Sequence, residues 1–488
     1  MIAGRSLFLV TLLFGAICAK AQQSSQVGAF DFLPQSVYAN PALRPSARVN
    51  IGIPALSQIH FNHGNNWFVA DKFLESDARG NLHLDANELL NNIGDQAYLG
   101  QSINLELLHV GIKWKKHYVH IRAAERIGIS VDIPKDIFNL AVYGNSGSHV
   151  FKDNTADFSG LKINGMHYRE YVVGYNYKLN EKWTFGLAAK YLYGMESIDT
   201  EHSTLKLRTD PFTYDLTTSG GFVVNTAGLV DKGGKRIHDD IETYLLKLQN
   251  TGFAGDFGVT YRPMERLQVE VAAIDIGFIK WRNNVANYGT KNASFAFGGI
   301  DLTDFIFLEG QDFDNAFQDH IDTLLLDLEE EYQFEATENE FVTSVNGYFR
   351  YAATYDLLQA KNFNGSAWVS AHHGIGKSEV PFSFSLGYNQ KLWKVLQANI
   401  HYNKSTNFAG TIGFGLAVNA GPLQIYCLAE NLHFANYTKI TIIDQDDPIN
   451  TSSLFYFNNP QDVRFNVGMN LTFGRKDKEL HGGTPMKR

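Results

Sequence analysis

Between Tyr171 and Tyr193 the chain alternates strictly in twos, and few folds accommodate such a pattern. One side of the first run carries Tyr171, Val173, Tyr175 and Tyr177; the other carries Val172, Gly174 and Asn176. A turn at Leu179-Asn180-Glu181-Lys182 follows. The second run sets Trp183, Phe185, Leu187, Ala189, Tyr191 and Tyr193 against Thr184, Gly186, Ala188, Lys190, Leu192 and Gly194. Side chains alternate across a pleated strand, so the two faces meet two different surroundings. Trp183 to Tyr193 covers roughly 33 Å of strand at about 3.3 Å per residue. Tilted by about 40°, that length projects to about 25 Å, the height of the apolar band on an outer-membrane barrel. The hairpin therefore reads as membrane-spanning, with aromatics near the ends of the lipid-facing row.

At 488 residues the chain could hold several soluble domains, but a large barrel uses the same length as one domain with long loops. Beyond the N-terminus no run of about 20 apolar residues occurs, and the mean hydropathy is −0.20. Helical membrane spans are not expected. A net charge of −9 with scattered Lys and Arg gives no footprint for nucleic acid. Residues 1–21 carry the parts of a secretory signal: Arg5, the apolar stretch from Leu7 to Ile17, and Ala19-Lys20-Ala21 as the small-x-small cleavage site. Cleavage there also removes Cys18. Cys427 then remains alone, on a strand face with Ile425 and Ala429, and cannot form an internal disulfide.

The remaining chain divides into about fourteen strands. They are expected near 48–61, 100–114, 117–131, the two halves of 166–195, 255–262, 267–278, 341–355, 364–373, 382–390, 394–403, 408–418, 423–431 and 463–473. Pro54 interrupts the first. Long and short connections alternate, as they do where long loops lie outside and short turns lie in the periplasm. Helices are expected in the long loops near 85–93, 134–143, 239–249 and 313–332, and a hairpin around Asp210-Pro211. The fold class is thus an all-β membrane protein: an antiparallel transmembrane β-barrel of about fourteen strands in the cell outer membrane, with the lipid bilayer as its first partner. The expected division is a signal peptide (1–21), a periplasmic or luminal plug (22–47), the barrel (48–474) and a periplasmic tail (475–488). The segment before the first strand is Pro-rich and irregular, yet carries Phe30, Phe32, Tyr38 and Leu43. A soluble β-sandwich has no need for outward aromatic belts on nearly every strand.

The signal sequence, the early Asn40-Pro41-Ala42 and the strand count resemble the long-chain fatty-acid transporter (FadL-like) superfamily. In that resemblance Asn40, Pro41 and Ala42 lie at an inward-folded N-terminus and form a candidate hatch. The chain more closely resembles an outer-membrane barrel family of Bacteroidetes-type bacteria with no established activity. The residues that carry this are Ile133-Pro134-Lys135-Asp136 leading to Gly144-Asn145, and Asp275-Ile276-Gly277-Phe278-Ile279-Lys280-Trp281.

Alternation places Glu170, Lys190, Arg262, Glu270, Glu430 and Arg464 on inner faces. They suit either a polar pathway or a network of paired charges that anchors a plug. Inner-face glycines such as Gly186, Gly194, Gly413, Gly415 and Gly468 suit either close approach of a plug or relief of crowding where strands coil. The acidic stretch 301–331 and Asp444-Gln445-Asp446-Asp447 lack the ligand spacing of a calcium loop. His372 and His373, adjacent on a strand, point to opposite faces and cannot share a metal. No metal or cofactor is expected. Catalysis is not expected either, since the chain has no G-x-S-x-G elbow. Two functions are carried forward. One is binding or transport of a small hydrophobic or amphiphilic ligand past the Asn40-Pro41-Ala42 segment. The other is a non-transporting scaffold whose outer loops dock a protein of a secretion, biogenesis or surface complex.

Overall fold

The structure is a computed structural model. It describes residues 26–474 apart from 68–73, 77–81, 146–149, 231–249, 291, 298–326, 328–329, 333–334, 361, 377, 379, 394, 407, 409, 432–436, 444–450 and 458–461. The expected signal peptide (1–21), the helix expected over 239–249, Asp444 to Asp447 and the tail 475–488 lie outside the described residues. So does most of the acidic stretch and its helix; residues 327 and 330–332 of it are described and are helical.

Fourteen strands form the wall. β1 comes in two pieces, Val49–Gly52 and Ile59–Asn65, separated by the turn that contains Pro54. β2 (Gln96–Trp114), β3 (His117–Pro134), β4 (Lys162–Lys178) and β5 (Trp183–Ser203) follow. β6 (Asn250–Met264) and β7 (Leu267–Trp281) precede β8, itself in two pieces, Phe341–Ser344 and Tyr348–Ala360. β9 (Phe363–Gly374), β10 (Ser383–Leu392), β11 (Leu396–Ser405), β12 (Thr411–Ala420), β13 (Leu423–Glu430) and β14 (Asp462–Phe473) complete the wall. Each strand pairs antiparallel with the next, and β14 returns to β1 through Val49↔Phe473 and Ile59↔Val467. The ladder closes, so no edge is left open.

Burial follows the alternation and inverts the soluble pattern. Leu187 is 56% exposed while its neighbour Ala188 is 7% exposed. Along β11 and β12, Ile400, Tyr402, Ile412, Phe414 and Leu416 are exposed, and Asn399, His401, Asn403 and Asn419 are buried. An ordered outer apolar surface over a polar interior belongs to a barrel in lipid. The upper edge of the belt is marked by charge: on the outer face, Arg169 Nε donates to Glu125 Oε1 at 2.6 Å, one strand apart. Cys427 sits on the outer face with Ile425. His372 is buried against Ser383, and His373 packs on Tyr351 outside.

The alternation fails where the chain bulges. Leu192, Tyr193, Gly194 and Met195 are all buried. Opposite them Tyr168 pairs with Gly194 and His167 with Glu196, which leaves Met195 as an extra residue. A bulge of this kind re-aims the side chains beyond it. Tyr193, expected on the lipid-facing row, is buried next to this bulge. Beyond the belt β5 continues to Ser203 and pairs with Phe222–Ala227, which pairs with Val285–Gly289 and then Glu335–Thr337. The wall thus extends past the membrane on one side.

The loops carry short elements with local causes. Ala86–Asn92 is a helix capped by Asp85, whose carboxylate accepts from the backbone N–H of Asn87 and Glu88. Lys135–Tyr143 starts after Pro134 and ends at Gly144 with φ +67°, where the left-handed backbone suits glycine. The hairpin at Asp210-Pro211 pairs Lys206–Thr209 with Leu216–Gly220.

Candidate functional site

Residues 26–47 pack against the inner face of the wall. They make two 3-10 turns, Val27–Ala29 and Pro34–Tyr38, and no strand. An irregular backbone cannot satisfy its own polar groups, so they must find partners elsewhere. Here wall side chains supply them. Asn389 Nδ2 donates to the Ala29 carbonyl at 2.9 Å, and Gln424 Nε2 to the Phe32 carbonyl at 2.9 Å. Asn176 Nδ2 donates to Leu43 at 2.7 Å and to Pro41 at 3.2 Å. Lys113 Nζ reaches the carbonyls of Pro45 and Ser46. These donors come from β2, β4, β10 and β13, on widely separated parts of the wall.

Apolar anchors hold the same segment. Val27, Phe30 and Leu33 form one buried cluster with Ala417, Tyr426 and Leu428 of β12 and β13. Gln35 Nε2 donates to Glu106 Oε1 at 3.1 Å and to Asn470 Oδ1 at 3.0 Å, bridging β2 and β14. The Tyr38 hydroxyl donates to Glu106, and the Arg122 guanidinium lies 3.9 Å from the centre of the Tyr38 ring, a cation–π arrangement.

Asn40, Pro41 and Ala42 sit against β4, β5 and β6. The Asn40 side chain accepts from the Ala42 N–H at 2.9 Å, an Asx turn that exposes the Pro41 carbonyl to Asn176. Two wall glycines make this contact possible. A Cβ on Gly186 would collide with the Pro41 carbonyl, and one on Gly258 with the Asn40 side-chain oxygen. G186A and G258A are each expected to destabilise the barrel by about 1–3 kcal/mol, the usual range for overpacking. The control G255A meets nothing nearer than the Ala188 carbonyl at 3.5 Å. Urea unfolding in vesicles, followed by tryptophan fluorescence, checks this; equal midpoints for all three variants would show that the segment does not seat on these glycines.

A belt of buried charge crosses the interior. Glu170 accepts from Arg122 and, at 2.9 Å, from Arg126 Nε. Lys190 Nζ lies 2.7 Å from Asp256 and also bonds Asp275. Arg350 pairs with Glu270 at 2.7 Å, and Arg464 with Glu430 at 2.6 Å. Toward the long-loop end, Leu192, Ile279, Trp281, Val285 and Val345 form an apolar cluster. Trp281 Nε1 satisfies itself there by donating to Thr343 Oγ1 at 2.7 Å.

Residues 41–430 match the DUF5723 family, described as a family of unknown function. The chain belongs to DUF5723. Among curated proteins none matches it in sequence. Its fold is distantly similar to several solved barrels. One is the toluene transporter TodX of P. putida, at 9% identity over 90% of this chain and 94% of that chain, TM-score 0.38. Another is the toluene transporter TbuX of Ralstonia pickettii, at 8% identity over 91% and 95%, TM-score 0.41. A third is a FadL homologue of Pseudomonas aeruginosa, at 9% identity over 94% and 100%, TM-score 0.44.

In this DUF5723 barrel, Glu170, Lys190, Glu270, Glu430 and Arg464 are buried and paired as described. They do not converge on one point but spread through the belt. Arg262 is separate: it is half-buried near the short-turn end of β6 and donates to Gln268 Oε1 at 2.6 Å. Sequence reading missed the partners Glu106, Arg122, Arg126, Asp256 and Arg350. All share the inner parity of their strands, so counting charges by parity on every strand would have found them. Asp275 had no such signal. Its φ is +55°, and the register jumps there, from Gly255↔Ile276 to Phe257↔Ala273. The freed N–H of Asp275 donates to Asp256 Oδ1 at 2.8 Å. The bulge inverts the parity beyond it, so that Ile279 and Trp281 face inward.

Proposed function

We propose that the protein is an outer-membrane barrel held shut by its own N-terminal plug, residues 26–47, and that it works from its surfaces as a scaffold. In this reading the long outer loops dock a protein of a secretion, biogenesis or surface complex. One observation carries it: the interior is occupied by a segment bonded to strands on opposite parts of the wall. A solute would have to part apolar anchors, side-chain hydrogen bonds and a belt of buried ion pairs.

Transport of a small hydrophobic or amphiphilic ligand is the second reading. It is favoured by the fact that residues 26–47 contribute no strand, so they can leave without opening the ladder. The intact protein in planar bilayers is expected to be silent, and proteoliposomes are expected to take up a fluorescent fatty acid no faster than protein-free vesicles. Resolved conductance steps would overturn the closed reading. Uptake of that fatty acid faster than by protein-free vesicles, without conductance steps, would establish the hatch instead.

A further inference from the structure

Above the apolar cluster, the strands Phe222–Ala227, Val285–Gly289 and Glu335–Thr337 continue from the outer part of β5. Their register sets Asn225 opposite Asn287, and Asn287 opposite Thr337. On β5 the register jumps: Val223 faces His202 and Val224 faces Thr200, leaving Glu201 as the extra residue. Bulges of this kind re-aim a side chain. Glu201 lines a cavity of about 330 Å³ together with Asn225, Asn287, Tyr288, Thr290 and Thr337. That volume is at the small end of the range for small-molecule sites. Phe341, which packs on the apolar cluster, forms part of its lining.

The hydrogen bonds of this cavity run one way and stop short. Asn225 Nδ2 donates to Glu201 at 3.2 Å, and Asn287 Nδ2 donates to Asn225 Oδ1 at 2.6 Å. Asn287 is only 6% exposed, yet its Oδ1 has no partner. A buried acceptor left unpaired is costly, and in native proteins such atoms are usually paired with protein, ordered water or a bound group. Two hydroxyls complete the site. Thr290 Oγ1 accepts from the Phe222 N–H at 3.1 Å, and Thr337 Oγ1 accepts from Asn339 Nδ2 at 3.2 Å. Each Thr keeps its O–H to donate.

We infer that the outer mouth holds a binding site for a neutral polyhydroxylated ligand of the saccharide class, with Asn287 Oδ1 and Glu201 as acceptors and Thr290 and Thr337 as donors. A sugar hydroxyl both donates and accepts, and so can use all four groups. An anion meets the carboxylates of Glu201 and Glu340. The bond from Lys280 to Glu340, 2.6 Å, holds the latter's carboxyl below the ordinary range and keeps it charged. Among the described residues no three acidic, His or Cys side chains converge on one point, so a metal ion is left short of charged ligands. Tyr288 and Phe341 offer aromatic surface to the C–H faces of a ring.

Saturation-transfer NMR tests this on the full-length protein in nanodiscs, with methyl glycosides of glucose, galactose and mannose, and N-acetylglucosamine, as probes. At least one is expected to receive saturation at its ring protons. Binding is expected to weaken at least about tenfold in N287L and in T337V, the effect of losing one well-made hydrogen bond. Folding of both variants is checked by heat-modified gel mobility. A free saccharide and a glycolipid headgroup present the same chemistry; competition by glycolipid-containing nanodiscs, but not by phosphatidylcholine ones, assigns the headgroup. No transfer to any probe, equal transfer to both folded variants, or binding of spermidine or calcium alone would overturn the inference.

Discussion

Removal of residues 26–43 is expected to turn a silent barrel into a conducting one. The wall does not depend on this segment: β1 begins at Val49 and pairs on one side with β14 and on the other with β2. What is lost is the filling. Glu106, Asn176, Asn389, Gln424 and Asn470 would exchange their bonds to the segment for bonds to water, which polar side chains do at little net cost. A fourteen-strand interior is wide enough for a water-filled channel once emptied. Conductance in planar bilayers is expected to rise at least about tenfold over the intact protein, in line with the large size of such an interior. The variant should still show the heat-modified gel shift of a closed barrel. A folded but silent variant would mean that other residues block the interior, and the occlusion by residues 26–47 would not be what closes it.

The second large effect concerns Glu170. It serves two guanidiniums, those of Arg122 and Arg126, and its side chain is fully buried. E170A leaves two cations without their shared carboxylate, and breaking a buried pair by removing one partner costs about 3–5 kcal/mol. Lys190, Asp256 and Asp275 form the neighbouring triad, and none of them can take over the pairing without giving up its own. By contrast E340A removes a carboxylate half-exposed beside Lys280 and Arg282. Solvent screens pairs of that kind, so their contribution to stability is small. Equilibrium unfolding in urea should therefore separate the two variants widely. If E170A loses no more than E340A, the belt is hydrated and the charges are not held as pairs.

Much of the architecture was legible because a membrane wall is a two-solvent device. Lipid outside and protein inside impose period two on every crossing, and Phe465, Val467 and Met469 of β14 show it as plainly as Trp183 to Leu187. The breaks at Pro54 and Gly144 were legible for the same reason that they occur: one residue cannot donate, the other tolerates a left-handed backbone. What could not be read were the places where one residue is inserted. Asp275 and Met195 look like ordinary strand positions, yet each shifts the parity of its strand. The inward turn of Ile279 and Trp281, and the burial of Tyr193, depend on those insertions. Nor does sequence alone say which inner charges meet, because pairing is set by register between strands far apart in the chain. The cavity at Asn287 was invisible for that reason: its four polar groups come from three separate segments.

The bonds that fasten residues 26–47 also fix an order of events during assembly. Gln26 meets Ala429 across 403 positions of chain, and Gln35 meets Asn470 across 435. Contacts that distant form late, because the intervening loop must be closed first. The segment made earliest thus waits for the strands made last, and β14 must be zipped to β1 around it. Residues 26–47 thus come to rest on the wall only once β14 has met β1, so their docking reports that the ladder is complete.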